Sequence, residues 1–181
     1  MASDEWVSAS APYVAPRHNG ASDAWTEESA KHGQQGGQKL TFAGEISAPA
    51  EVTESLGVPE GTVVVVRKRV ITLDDEPIEL TDTYYPAAIA AGTALAEPRK
   101  IKGGAVTLLT QLGHNPDRVH EDITARMPSE AERAALRLSD RDPVLILRRT
   151  TTDKEGDPIQ VDLMTMPARG RRLNYEMQVN R

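Results

Sequence analysis

The chain has 181 residues, with 27 acidic and 21 basic side chains, a formal charge of −6, seven aromatics and no cysteine. Nothing approaches the ~20 consecutive apolar residues of a membrane helix, and the acidic start MASDEWVSAS is unlike an export signal, so a cytoplasmic protein with no membrane partner is expected. Zero cysteines exclude a disulfide framework and thiolate metal sites, and the negative charge argues against a broad phosphate-gripping face.

Residues 1–39 carry five acids and three bases and are rich in Ala, Ser, Gly and Gln. Their apolar residues are isolated, so they bury little and read as a flexible tail or linker. One short run, Asp23–Lys31, has a helical look, with Asp23 as cap and Glu27 and Glu28 in the first turn. Three of the seven aromatics, Trp6, Tyr13 and Trp25, lie in this segment. Docking of Trp25 onto the domain or a partner is the alternative to a free tail.

From Leu40 the pattern is regular, and residues 40–181 read as one domain. Leu40–Ser47 predicts a strand and Pro49–Leu56 a helix stopped by Gly57. Thr62–Leu73 and Ile78–Tyr85 predict a hairpin around Asp74–Pro77, ended by Pro86. Short helices follow near Ala87–Ala91 and over Ala105–Leu112. Val119–Met127 predicts a strand, and Ser129 caps a helix to Leu138 with Glu132 as its capping-box partner. A second hairpin joins Val144–Asp153 to Ile159–Met166, and Leu173–Val179 predicts a final strand. Residues 49–86 and 128–167 share the order helix, strand, acidic turn with Pro, strand, Pro. Leu56 matches Leu136 at an offset of 80, and Pro77 and Pro86 match Pro158 and Pro167 at 81. Two such pseudo-repeated units predict an α+β fold, an antiparallel sheet with helices packed on it.

Catalytic and metal patterns are absent. His18, His32, His114 and His120 lack metal-ligand spacing, and the neighbours Glu121 and Asp122 point to opposite faces of a strand. No catalytic residue, metal or cofactor is assigned. Two features suggest anion binding. In VVVVRKRVI, Arg67 and Arg69 share one sheet face, about 6.5–7 Å apart, and guanidinium suits carboxylate or phosphate. The alternative is that they pair with Glu79 or Asp82 across the hairpin. Arg148 and Arg149 point to opposite faces and read as structural. The second feature is Gly103-Gly104 before a helix, where backbone N–H groups could meet an anion, or where glycine simply permits the turn.

The series VVVVRKRVITLDDEPIELTDTYYP, KGGAVTLLTQLGH, EDITARMPSEAERAALRL and PVLILRRTTTDKEGDPIQV resembles the UTRA domain of HutC-type regulators in the GntR family. The resemblance covers about Leu40 to Val179. It implies a chorismate-lyase-like α+β fold, a small-molecule effector held between sheet and helices, homodimerisation, and transmission to a winged helix-turn-helix. It places the effector site at Arg67, Arg69, Thr81, Thr83, Tyr84, Gly103 and Gly104. Thr81, Gly104 and Val106 depart from the pattern of the family's sugar-phosphate sensors. Thirty-nine leading residues are too few for the family's DNA reader, so the expectation is a non-enzymatic sensing and dimerisation domain that meets DNA only indirectly. The other readings are a chorismate-lyase-like enzyme and a dominant-negative partner of full-length regulators.

Overall fold

The computed structural model describes residues 6–8, 11–15 and 24–176. In chain order the elements are β1 (Trp6–Ser8), α1 (Ala11–Val14), α2 (Ala24–Lys31), β2 (Gly36–Ser47), α3 (Ala50–Leu56), β3 (Val63–Leu73) and β4 (Glu76–Pro86). They continue with α4 (Ala87–Ala90), α5 (Ala105–Gln111), β5 (Arg118–Arg126), α6 (Glu130–Leu136), β6 (Val144–Thr152), β7 (Pro158–Pro167) and β8 (Arg171–Leu173). β2 starts four residues ahead of Leu40, and β1 and α1 had no periodic signal. Of the predicted strand Leu173–Val179 only Leu173 is in a strand among the described residues, at the end of β8, and its last three residues lie outside them, as do Asp23 and residues 1–5, 9–10 and 16–22 of the leading tail.

Among the described residues, six strands form one antiparallel sheet in the order β2-β3-β4-β7-β6-β5, and β1 pairs parallel with β8. The hairpins β3–β4 and β6–β7 therefore meet at the centre, and β4 pairs with β7. The helix before each hairpin crosses to the other half: α3 packs on β7, and α6 on β4.

β3 is buried on both faces because its run of valines has no polar alternation. On one face Val64 and Val66 pack with Val52 and Leu56 of α3, Tyr84 and Val161. On the other, Val65 packs with Tyr85, Ala90 of α4, Leu95 and Leu109 of α5. Each fully buried valine contributes about 1.5–3 kcal/mol, so β3 anchors two layers at once.

Helices α3 and α6 end alike. Gly57 (φ 65°) and Arg137 (φ 54°) both close the helix in the left-handed conformation. The next residue then bonds back, Val58 N–H to Thr53 and Leu138 N–H to Arg133. Glycine accepts this geometry freely and arginine does not. Arg137→Gly should raise stability by about 0.5–1 kcal/mol, read as a higher Tm, because the ion pair lost with Glu76 lies between two exposed side chains.

The start of α6 is tied to the sheet. Ser129 and Glu132 form the predicted capping box, and both Glu132 oxygens accept from Arg126 of β5 at 2.7 Å. The Arg126 bonds, with help from Ser129 and against partial burial, hold the Glu132 carboxyl down at about 2. A depressed carboxyl contributes stability that is complete above its unfolded value and lost as pH falls through its folded one. Between about pH 4.5 and 2 the wild-type protein should therefore lose stability more steeply than Glu132→Gln, measured by denaturant melts across that window.

Candidate functional site

The face of the sheet opposite α3 and α6 carries the candidate site. Strand register arranges its side chains in rows. The first row is Arg67, Thr83, Asp162, Arg149 and Glu121, each directly opposite the next. The second row is Leu40, Arg69, Thr81, Met164 and Leu147. Beyond it stand Ile71 on β3 and Met166 on β7. The face thus grades from charged to apolar along the strands.

The first row is largely paired within itself. Arg67 is buried, and its guanidinium donates to the carbonyls of Ala94 (3.3 Å), Leu95 (2.9 Å), Glu97 (2.8 Å) and Arg99 (2.7 Å). It thereby holds down the segment between α4 and α5, whose end walls the site. Burial pulls its pKa below the ordinary guanidinium value, and neighbouring Arg69 acts in the same direction, against Tyr85. Arg149 donates to Glu121 at 2.6 Å, with both side chains buried. The Asp162 carboxylate accepts from Thr83 (2.7 Å) and Gln160 (2.8 Å).

Arg69 differs. It donates to Thr83 at 2.8 Å, but its Nε is buried with no hydrogen-bond partner among the described residues. Arg69 as a residue is half-buried, but an orphaned buried donor atom is costly, and this one belongs to a side chain on the cavity wall. Tyr85 flanks the same wall, its hydroxyl pKa raised by burial and by Asp162.

The cavity occupies about 440 Å³. Its floor is the sheet face, one wall is Lys100–Thr107, and the opposite wall comes from the leading segment. Trp25 is buried and donates its indole N–H to the Thr72 carbonyl at 2.9 Å. Trp6 meets it edge-on at 4.9 Å, and Tyr13 is bonded to Glu28. Gly36 fits only because it lacks a side chain: a Cβ there would lie 2.4 Å from Ser29 Oγ and 2.6 Å from Trp25 Nε1. Trp25 is thus docked on the domain, the alternative that the isolated aromatics had left open.

Of the residues expected at the site, Arg67, Arg69, Thr81, Thr83, Gly103 and Gly104 line this cavity. The structure gives four of the expected residues, Tyr84, Arg67, Gly103 and Gly104, surroundings other than those expected. Tyr84 faces the other side, packed in the α3 core with its hydroxyl donating to Asp82, and Tyr85 takes its place. Arg67 is occupied by carbonyls, and Lys68 rather than either arginine pairs with Asp82. Gly103 and Gly104 have φ of 82° and 86°, so the turn itself requires them, and the Gly104 N–H is taken by the Ile101 carbonyl. Arg149 was read as merely structural, yet it lines the cavity, while its neighbour Arg148 bridges Asp122 and Glu54 on the far face. Asp162, Met164 and Met166 carried no motif; only pairing with β4 and β6 brings them to the site.

The UTRA domain family matches residues 31–169. The chain belongs to the UTRA family. Similar proteins include an uncharacterized HTH-type transcriptional regulator of Streptomyces coelicolor, 31% identical over 118 residues, or 64% of this chain and 44% of that protein. The HTH-type transcriptional regulator GgaR of Escherichia coli is 22% identical over 121 residues, covering 65% of this chain and 46% of GgaR. The matched part spans less than half the length of these two relatives. Among solved structures, the effector domain of PhnF from Mycobacterium smegmatis superposes with a TM-score of 0.72 at 23% identity, covering 86% of this chain and 94% of that one. The C-terminal domain of the histidine utilization repressor from Pseudomonas syringae gives 0.64 at 20% identity, covering 80% and 100%. These likenesses establish the α+β UTRA fold. Trp6, Tyr13 and Trp25 lie ahead of the matched UTRA segment, so the aromatic wall is built by residues outside the family match.

Proposed function

We propose that this UTRA domain senses a small anionic effector in the cavity over Arg69 and, as part of a GntR-type regulator, adjusts DNA-dependent transcription in the cytoplasm. The observation that carries the reading is the buried, unmatched Nε of Arg69 facing a cavity of ligand size in a chain whose relatives include HTH-type regulators. Contact with DNA is indirect, through a winged-helix domain coupled to the sensor. The effector is bound and released unchanged, without catalysis. Homodimerisation belongs to the same proposal: β5 is a sheet-edge strand with exposed Val119 and Ile123, and exposed Met127 follows it. Among the described residues no helix is long and apolar enough to cross a membrane, and no cluster of His, Asp and Glu is suited to a metal.

Native mass spectrometry of the purified chain should show a dimer with a co-purified anion that is recovered intact. Calorimetry with that anion should give an affinity roughly ten- to a hundred-fold weaker for Arg69→Ala, the loss of one charge-assisted contact of about 1.5–3 kcal/mol. Arg148→Ala, altered on the far face, should bind like the wild type. Equal affinities for all three proteins would remove the anion site from this cavity, and turnover of the ligand would replace sensing with catalysis.

A further inference from the structure

The cavity has two chemically different ends. Residues two apart along a strand stand about 6.5–7 Å from one another, so Arg67 and Ile71 mark positions about 13 Å apart on β3. At the Arg67 end the charges are largely matched internally: four carbonyls surround Arg67, Glu121 meets Arg149, and Thr83 and Gln160 serve Asp162. Arg69 stands at the border, with its buried Nε unmatched. Beyond it the floor turns apolar through Met164, Leu147, Met166 and Ile71, and Trp25 and Trp6 stand over that end. The cation there, Arg171, donates to the Ile78 carbonyl, with Glu79, Tyr13 and Glu28 near it, so it too is served from within the protein.

From this gradient we infer that the effector is an amphipathic monoanion: a carboxylate placed on Arg69, with an aromatic or branched alkyl body lying over Met164 and Leu147 under the tryptophans. A polyhydroxylated phosphate fits poorly, because its hydroxyls would meet thioether, aliphatic and indole surface and lose water without replacement hydrogen bonds. This inference rests on the proposed anion site and specifies its ligand class.

The wild-type chain should be titrated with acetate, isovalerate, 3-phenylpropionate and decanoate, and with inorganic phosphate and glucose 6-phosphate. Calorimetry gives the affinity, and tryptophan fluorescence gives the location, because Trp6 and Trp25 are the chain's two tryptophans and both line this cavity. Affinity should rise about fourfold for each methylene newly buried, with a change in emission. Arg69→Gln and Met164→Ala should each weaken 3-phenylpropionate binding at least several-fold, whereas Arg148→Gln should not. If the phosphates bind as tightly as the larger carboxylates and Arg69→Gln weakens them, the anion site stands and the amphipathic ligand is overturned. If the carboxylates bind without any change in emission, or if Arg148→Gln matters as much as Arg69→Gln, the inferred placement is wrong. If none of the six probes binds, the inference and the anion site fall together.

Discussion

Arg67→Ala should lower the unfolding free energy by about 3–5 kcal/mol, whereas Arg69→Ala should lower it by about 1 kcal/mol or less. The two arginines share a strand and a face, yet their surroundings differ. Removing Arg67 strips a charged donor from four backbone carbonyls and leaves a void under the segment joining α4 to α5. A buried acceptor that loses its partner incurs its desolvation cost in full, and Leu95, itself fully buried, is held in that segment. Removing Arg69 takes away its bond to Thr83 and a long, exposed one to Gln38 (3.5 Å), and Thr83 still donates to Asp162; the buried unmatched Nε leaves with it. Urea melts of the two variants with a common m-value would measure the difference. Equal losses would mean that the carbonyl cluster does not depend on Arg67. Under the proposed function this is a division of labour: Arg67 shapes the cavity wall, and Arg69 would meet the effector.

Breaking the Arg149–Glu121 pair from one side should cost about 3–5 kcal/mol, while replacing both partners together should restore most of that. Both side chains are only 8% exposed, so Glu121→Ala removes the ion-pair partner of a buried guanidinium and Arg149→Ala that of a buried carboxylate. The double variant Glu121→Leu, Arg149→Met strands neither charge. Chemical denaturation of the two single variants and the double variant closes a thermodynamic cycle, and the predicted coupling is several kcal/mol. Additive losses would show that the pair is not a unit. Because Arg149 lines the cavity, the double variant also tests whether this pair serves the ligand: retained 3-phenylpropionate binding would mark it as scaffolding.

Much of the sheet could be read directly from alternation. The period of two put Arg67 with Arg69, separated Arg148 from Arg149 and separated Glu121 from Asp122, and the observed pairing keeps each of these relations. Tyr84 entered the site through the family resemblance, and the period alone already separates it from Thr81 and Thr83; which of the two sets meets the cavity is decided by register. The β3–β4 register shifts by one residue between Ile71 and Thr72. With an unbroken ladder from the turn, Tyr84 would stand opposite Val65 and share the cavity face. The bulge moves Tyr85 there and turns Tyr84 into the α3 core, because a one-residue slip exchanges the faces of a strand. No residue type announces that bulge. The partners of Arg67 were equally silent, since backbone carbonyls 27 to 32 residues away belong to any sequence and acquire meaning only by position.

By itself, the sequence determined the α+β class, the two helix–hairpin units in their order, the capping box at Ser129 and the likeness to UTRA domains. These follow from local patterns: periodicity, caps, turn residues and motif spacing. Tertiary structure alone decided that β4 and β7 meet at the centre, that Arg69 keeps an unmatched donor, and that Trp6 and Trp25 close the cavity. Each of those depends on contacts between residues distant in the chain. The opening composition takes on a different weight as a result. The leading segment, too acidic and too sparse in apolar residues to form a core of its own, buries Trp25 by borrowing the Thr72 carbonyl and the space left by Gly36. Its isolated aromatics lacked periodicity because the surface they complete belongs to another part of the fold.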